Sequence, residues 1–504
     1  MPDIILATLN ARHIHSSLAL RYLLANMGDL RDRTELREYT LESRPNDIAE
    51  QLLLGSPRII GLGIYLWNCE QSTRLAALIK TVSPETVLVL GGPEVSHEWE
   101  AQPIVRLADY LITGPADLTF AELCRSILLG DQPQQRVIHA LPPPLHALAS
   151  PYPFYSDQDI AHRLLYVEAS RGCPFRCEFC LSALDRSARP FDLEPFFKDM
   201  ELLLQRGASH FKFVDRTFNL KLGQSLAILD FFLARMQPGL FLHFEVIPDR
   251  LPTALKSRLR QFPEGALQLE VGVQTFNPEV AERISRKQDI SLTRQNLRWL
   301  RSETRAHIHA DLIIGLPGEG VESFAAGFDQ LVALRPQEIQ VGVLKRLRGT
   351  PIARHSAAFG MRYNPNPPYD ILSTDRIDFA LMQRLNRFAR YWDLIGNSGR
   401  FPHTLPLLLG EQPFQRFMQL SDWLFASTGQ VHRFALTRLF DLVCQGCVSQ
   451  LGVERERVVD CLGRDFQRCA VKGLPASLQG SIAAGKPGSA ARDSRTARQQ
   501  RYTV

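Results

Sequence analysis

Short apolar runs alternate with helical stretches along two separate lengths of this chain, and that alternation restricts the fold more than any other feature. Up to residue 145 the runs are "DIILATL", "RIIGLGIYL", "TVLVLGG" and "DYLITG". Helical stretches fall between them, from about Ser17 to Met27 and from about Glu70 to Thr81. Buried runs separated by helices predict a parallel, doubly wound sheet. Ligands of such sheets bind beyond the carboxyl ends of the strands, which here carry "NARHIH", "GLGIYLWN" and "GGPEVS". A Pro-rich linker, "ALPPPLHALASPYPFY", closes this first segment, residues 1–145.

The second length, residues 160–345, repeats strand then helix through "LLYVEAS", "HFKFVD", "FLHFEVIP", "ALQLEVGVQ", "AHIHADLIIGLP" and "EIQVGVLK". Such units predict a partial (βα)6 TIM-like barrel, closed or open, with its active face at the strand ends. Residues 350–475 lose the strand pattern. "TDRIDFALMQRLNRFARYWDLIG" and "EQPFQRFMQLSDWLFASTG" have helical periodicity, so this part is expected to be a helical C-terminal domain. The fold class is therefore α/β, followed by helices.

Several function classes are set aside by composition. No run of 18 apolar residues exists, so no membrane-spanning helix is expected. The first residues lack a basic leader and read as a buried strand, not a signal peptide. The cysteine count, nine, is odd and follows no disulfide scaffold, which fits a reducing cytoplasm. The net charge of +5 sits almost wholly in residues 480–504, where five basic residues face one acid. That segment is poor in large apolar residues and is expected to be a disordered basic tail. Nucleic acid is not an expected partner.

The stretch "RGCPFRCEFC" follows the first barrel strand and spaces Cys173, Cys177 and Cys180 as C-x3-C-x2-C. Three thiolates and an open fourth position suit a catalytic zinc. They also suit an iron–sulfur cluster with one iron left free, since such clusters are usually held by four cysteines. The loop offers no fourth cysteine or histidine for a closed structural site. Cys444 and Cys447 form C-x2-C, with Cys461 and Cys469 beyond, but both stretches look helical and read as core thiols.

This cysteine loop, with Phe179 before its last cysteine and a strand before it, resembles that of the radical S-adenosylmethionine superfamily. The resemblance implies a 4Fe–4S cluster on Cys173, Cys177 and Cys180. Its unique iron would chelate S-adenosylmethionine, whose cleavage gives a 5′-deoxyadenosyl radical. "FKFVDRTFN" resembles the second-strand motif and offers Asp215. "LEVGVQTFNPEV" resembles the fourth-strand motif, with Glu270 and Gln274 at the barrel mouth. "HADLIIGLPGE" resembles the fifth-strand motif, where Gly315 and Gly318 would let backbone approach a ligand.

The first segment resembles the cobalamin-binding domain that precedes the barrel in some of these enzymes. The resemblance implies cofactor contacts at Asn10, Gly61, Gly63, Gly91, Gly92 and Pro93. The axial-histidine motif D-x-H-x-x-G is absent, and "NARHIHSS" stands in its place with His13 and His15 as possible cobalt ligands. Relatives usually have Gly-Glu-Gly-Glu after the "DYLITG" strand, whereas this chain has Pro115-Ala116-Asp117. "KRLRGTP" would end the sixth barrel strand, either meeting an anionic substrate group or solvated. The whole resembles an uncharacterised subfamily with its own C-terminal domain.

What this implies is a cobalamin-dependent radical enzyme that methylates an unactivated centre of a small molecule or peptide. An external electron donor such as flavodoxin or ferredoxin would be required. A radical cyclase or rearrangement enzyme is the enzymatic alternative. An RNA methylthiotransferase would want more cysteines in the first segment than Cys69 and Cys124. A cobalamin or redox sensor without catalysis is the remaining alternative.

Overall fold

A computed structural model describes residues 2–131, 133–469, 473–480 and 498–501. The first sheet is six parallel strands: β1 (Ile4–Asn10), β2 (Thr34–Thr40), β3 (Ile59–Gly63), β4 (Val87–Gly91), β5 (Tyr110–Thr113) and β6 (Val137–His139). Their order is β2-β1-β3-β4-β5-β6. β1 is buried at all its positions because helices cover both faces. Ile5, Ala7 and Leu9 pack with Leu52, Leu75 and Ile79 on one face, while Ile4 and Leu6 pack with Leu20, Phe120 and Ile127 on the other.

The sequence pattern missed β2 and β6. Both are edge strands. "TELREYT" is half-buried throughout and needs no apolar run; its charges also blunt an exposed edge. The chain reverses direction across the sheet between β1 and β3, where a doubly wound fold opens its ligand crevice.

The second sheet joins β7 (Leu165–Val167), β10 (His210–Phe213), β11 (Phe241–Val246), β12 (Leu267–Gln274), β13 (His307–Ile314) and β14 (Glu338–Val343). All are parallel, in order β14-β13-β12-β11-β10-β7, and the ends do not meet. A short ribbon, β8 (Ser170–Arg171) with β9 (Arg189–Pro190), follows β7. The half-barrel therefore has two open edges, and each is covered. Beside β7, Leu164 N–H donates to the Ile14 carbonyl at 2.9 Å and Ser16 Oγ to the Leu164 carbonyl at 2.8 Å. Beside β14, Asn397 gives and takes a hydrogen bond at Ile339, and Trp392 Nε1 donates to the Ile339 carbonyl, all at 2.9 Å.

Trp392 belongs to the helix Phe379–Leu394, the first long helix of the C-terminal region. Its ring and that of Phe388 meet Phe328 of the barrel edge-on, with centroids 4.8 and 5.1 Å apart. The C-terminal helices thus share one core with the barrel. A ribbon, β15 (Arg362–Tyr363) with β16 (Ile371–Ser373), precedes them. Cys444 and Cys447 lie buried on the helix Leu436–Ser449, and burial pushes the Cys447 thiol up to about 12. Of the basic tail, residues 481–497 and 502–504 lie outside the described residues. Within 498–501, Arg498 pairs with Asp393 at 2.5 Å and Glu338 at 3.1 Å.

Candidate functional site

The cysteine loop leaves β7 and returns through β9, so the β8–β9 ribbon closes its neck. Gly172 enters it at φ +88, where a Cβ would stand 2.8 Å from Ala188 N; only glycine fits. Asp215, at the end of β10, accepts from Ala169 N–H at 2.9 Å and Ser170 Oγ at 2.5 Å. Its carboxylate is therefore spent on the neck of the loop, and burial raises it to about 7. Arg171 reaches back to the first domain, with Asp117 at 2.9 and 3.0 Å and Glu168 at 2.9 Å. Asp117, in the loop beyond β5, thus joins the first sheet to the cysteine loop.

Cys173 and Cys177 are buried and Cys180 is half-buried. Arg286 Nη1 donates to Cys177 Sγ at 3.4 Å, and Nη2 to the Gly272 carbonyl. Glu178, between the cysteines, is 3% exposed. It accepts from Ser285 Oγ at 2.6 Å and from Arg354, and hydrogen-bonds His355 Nε2 at 2.8 Å. Among the described residues no three His, Cys, Asp or Glu side chains converge to hold one metal ion. A cubane takes its thiolates at separate irons. Beside Cys177 a cavity of about 330 Å³ opens, lined by Arg176, Ala183, Leu184, Arg186 and Pro351.

Inside the half-barrel, alternate strand positions carry polar groups. Lys212 pairs in register with Tyr166 and His243, and Glu270 with Glu245 and His309. Glu270 accepts from His243 Nε2 at 3.0 Å and lies 3.7 Å from Lys212 Nζ. Burial pushes Glu270 up, yet His243, Lys212 and His309 together hold it below the usual carboxylate range. Burial lowers His243 to about 4. Asp311 is raised well above the usual range by burial and by Glu270 and Glu245. Gln274 sits at φ +70 beyond a bulge in β12 and folds back over Gly272. Phe179 packs half-buried on the barrel core.

The glycines divide. At Gly61 a Cβ would stand 2.8 Å from the Phe120 ring, so helix packing already requires a glycine there. At Gly92, φ +110, a Cβ would strike the Ile64 carbonyl at 2.4 Å, so backbone crossing already demands it. Gly315, φ +85, faces Ile371 at 2.6 Å, and Gly318 faces Arg283 at 2.4 Å. At both positions neighbouring side chains already occupy the space a Cβ would need. Gly63 and Gly91 have no contact closer than 3.4 Å, and Pro93 is exposed, so these three stay open at the crevice. Asn10 donates to the His15 carbonyl and Glu38, both at 2.9 Å.

His13 is exposed. His15 Nδ1 hydrogen-bonds Tyr166 OH at 2.8 Å. In "KRLRGTP", Lys345 and Pro351 are exposed, while the two arginines are drawn into ion pairs. Arg346 and Arg348 pair with Glu98 and Glu94 of the first domain at 3.0 Å each. Sequence reasoning missed Arg286, Glu178 and Glu94. Glu178 lies inside the cysteine motif, but its partners and those of the other two come from distant segments.

The Radical SAM superfamily matches residues 167–331, the B12 binding domain residues 4–124, and a protein family of unknown function residues 357–484. The chain therefore joins a B12-binding domain to a radical SAM domain, the domain types of cobalamin and of a 4Fe–4S cluster with S-adenosylmethionine. It is 26% identical over 360 residues to 2-(S-pantetheinyl)-carbapenam-3-carboxylate methyltransferase of Streptantibioticus cattleyicolor, covering 62% of this chain and 51% of that protein. It is 25% identical over 358 residues to the cobalamin-dependent radical SAM methyltransferase TokK of Streptomyces tokunonensis, again 62% and 51%. The chain spans about half the length of both.

Among solved structures, the methyltransferase TsrM from Kitasatospora setae, with cobalamin and a [4Fe-4S] cluster bound, superposes with TM-score 0.60 at 17% identity. The match covers 93% of this chain and 99% of that one. The cobalamin-dependent radical enzyme OxsB gives TM-score 0.62 at 14% identity over 92% and 84%. These likenesses establish the shared fold. Among the described residues no helix is long and apolar enough to cross a membrane.

Proposed function

We propose that this chain, a radical SAM protein with a B12-binding domain and its own C-terminal domain, is a cobalamin-dependent methyltransferase acting on an unactivated centre. One observation carries the reading: the cysteine loop is tied by Arg171 to Asp117, in the loop beyond β5 of the B12-binding domain. That tie sets the two cofactor regions side by side. Residues 1–145 would serve cobalamin, 160–345 the radical chemistry, and 350–475 the closure of the barrel edge.

The residues fit the groups. Cys173, Cys177 and Cys180 would hold the cluster, and Gly63, Gly91 and Pro93 leave the crevice open for cobalamin. Bound there, the cluster with S-adenosylmethionine supplies a carbon-centred radical and cobalamin a methyl carrier. The chain's own part is placement. Arg286, next to Cys177, would bring a cation to an S-adenosylmethionine carboxylate if that cofactor binds at the cluster. Asp215 fixes the neck of the loop. Glu270 stays ionised beside His243 and Lys212 and offers an acceptor to a polar substrate.

The substrate is a small molecule or peptide, reduction comes from an external donor such as flavodoxin or ferredoxin, and the location is the cytoplasm, where nine free cysteines stay reduced. Anaerobic reconstitution with iron, sulfide and hydroxocobalamin tests the reading. Expected are about four irons per chain, bound cobalamin, and formation of both 5′-deoxyadenosine and S-adenosylhomocysteine under a chemical reductant. A protein that cleaves S-adenosylmethionine yet takes up no cobalamin would overturn the methyltransferase assignment.

A further inference from the structure

Two buried carboxylates stand on the two cofactor loops, and one short segment reaches both, with Ser285 Oγ also donating to Glu178 at 2.6 Å. Glu94, in the loop after β4, is 4% exposed; Glu178, inside the cysteine motif, is 3% exposed. Glu94 accepts from Tyr369 OH at 2.7 Å and Arg348 Nε at 3.0 Å. Glu178 takes Ile352 N–H on its backbone carbonyl at 3.0 Å, and Arg354 and His355 on its carboxylate. Between these anchors the chain passes His97 so closely that a Cβ on Gly349, φ +78, would lie 2.4 Å from the imidazole. From Gly349 to Ile352 the backbone spans at most about 11 Å. Buried charges left without partners are costly, so neither anchor can be released without loss.

We infer that residues 346–355, with Tyr369, form a positioning strap that fixes the B12-domain loop at Glu94 relative to the cysteine loop at Glu178. The strap holds cobalamin and cluster at a set separation and transmits occupancy of one loop to the other. This rests on the methyltransferase reading. Pro351 lines the cavity beside Cys177, while the polar contacts of the strap act through Glu94, His97 and Glu178. The segment is short and its contacts are polar and directional, so a shift at one anchor moves the other.

The test uses cluster-loaded full-length protein and two variants, Gly349→Ala, which drives the strap off His97, and Tyr369→Phe, which removes one hydrogen bond without adding bulk. Amide hydrogen exchange at residues 173–180 is followed with and without hydroxocobalamin. In the wild type cobalamin should slow exchange at least about fivefold, the low end of a coupling between sites. In the variants the slowing should largely vanish while iron and cobalamin contents stay at wild-type levels. Under a chemical reductant 5′-deoxyadenosine formation should persist, and S-adenosylhomocysteine formation should fall about tenfold, within the same range of coupling. Equal slowing in wild type and variants overturns the strap. So does loss of iron or cobalamin from Tyr369→Phe, which would make the contacts merely structural. A wild type that binds cobalamin without any slowing defeats the strap alone, whereas a wild type that binds none removes the reading beneath it.

Discussion

The guanidinium of Arg286 bridges Cys177 Sγ, at 3.4 Å, and the Gly272 carbonyl at the bulge of β12. A thiol of the cysteine loop is thereby fixed against the fourth strand of the half-barrel. Replacing Arg286 with Gln should leave iron content intact and weaken S-adenosylmethionine binding about 10- to 100-fold, the worth of one hydrogen bond to a charged group. Equilibrium dialysis against the reconstituted protein measures it. Unchanged affinity would remove Arg286 from the site.

The cysteines separate cleanly. Changing Cys173, Cys177 or Cys180 to Ala should abolish iron–sulfur absorbance and 5′-deoxyadenosine formation together. Cys444→Ser with Cys447→Ser should keep the iron, because those thiols are buried on one helix and pushed up by burial. Iron analysis of both sets decides between them.

Two glycines two residues apart should behave differently. Gly61→Ala drives a methyl into the Phe120 ring at 2.8 Å, and overpacking of this kind costs about 1–3 kcal/mol. Gly63→Ala meets nothing nearer than Thr8 Oγ1 at 3.4 Å, so stability should stay within about 0.5 kcal/mol. Cobalamin uptake should fall for Gly63→Ala. Denaturant unfolding of the cofactor-free chain, beside a cobalamin titration, checks both halves.

Glu319 gives a pH signature. It is 3% exposed, accepts from Thr275 Oγ1 at 2.7 Å, and burial raises it to about 7 from 4.5. Folded protein holds this proton across that window while unfolded chain releases it. Stability from this group is therefore full below about pH 4.5 and is lost as pH rises through 7. The loss is on the order of 3 kcal/mol. Glu319→Gln should flatten the fall between pH 5 and pH 8 by about that amount, read from urea midpoints at the two values. An unaltered slope would show that the carboxyl titrates normally.

His15→Ala should leave the electron paramagnetic resonance of bound cob(II)alamin unchanged, because His15 is held at Tyr166 OH at 2.8 Å. Nitrogen splitting that disappears in this variant would return His15 to the cobalt.

The sequence alone determined what is local. β1, β3, β4 and β5 are continuous apolar runs because helices bury both their faces, and the six barrel strands were legible because each repeats an apolar face followed by a helix. The C-x3-C-x2-C spacing carries its chemistry within ten residues, so no fold is needed to read it. β2 and β6 were illegible because an edge strand buries too little to impose a pattern. Only the tertiary structure decided what the glycines are for, since Phe120, Ile64 and Ile371 approach Gly61, Gly92 and Gly315 from separate elements. It also turned His15 toward Tyr166, bound "KRLRGTP" to Glu94 and Glu98, and brought Arg286 to Cys177 across 109 positions of sequence. A side chain's partner over such separations is set by how sheets and helices stack, and no local pattern encodes that stacking.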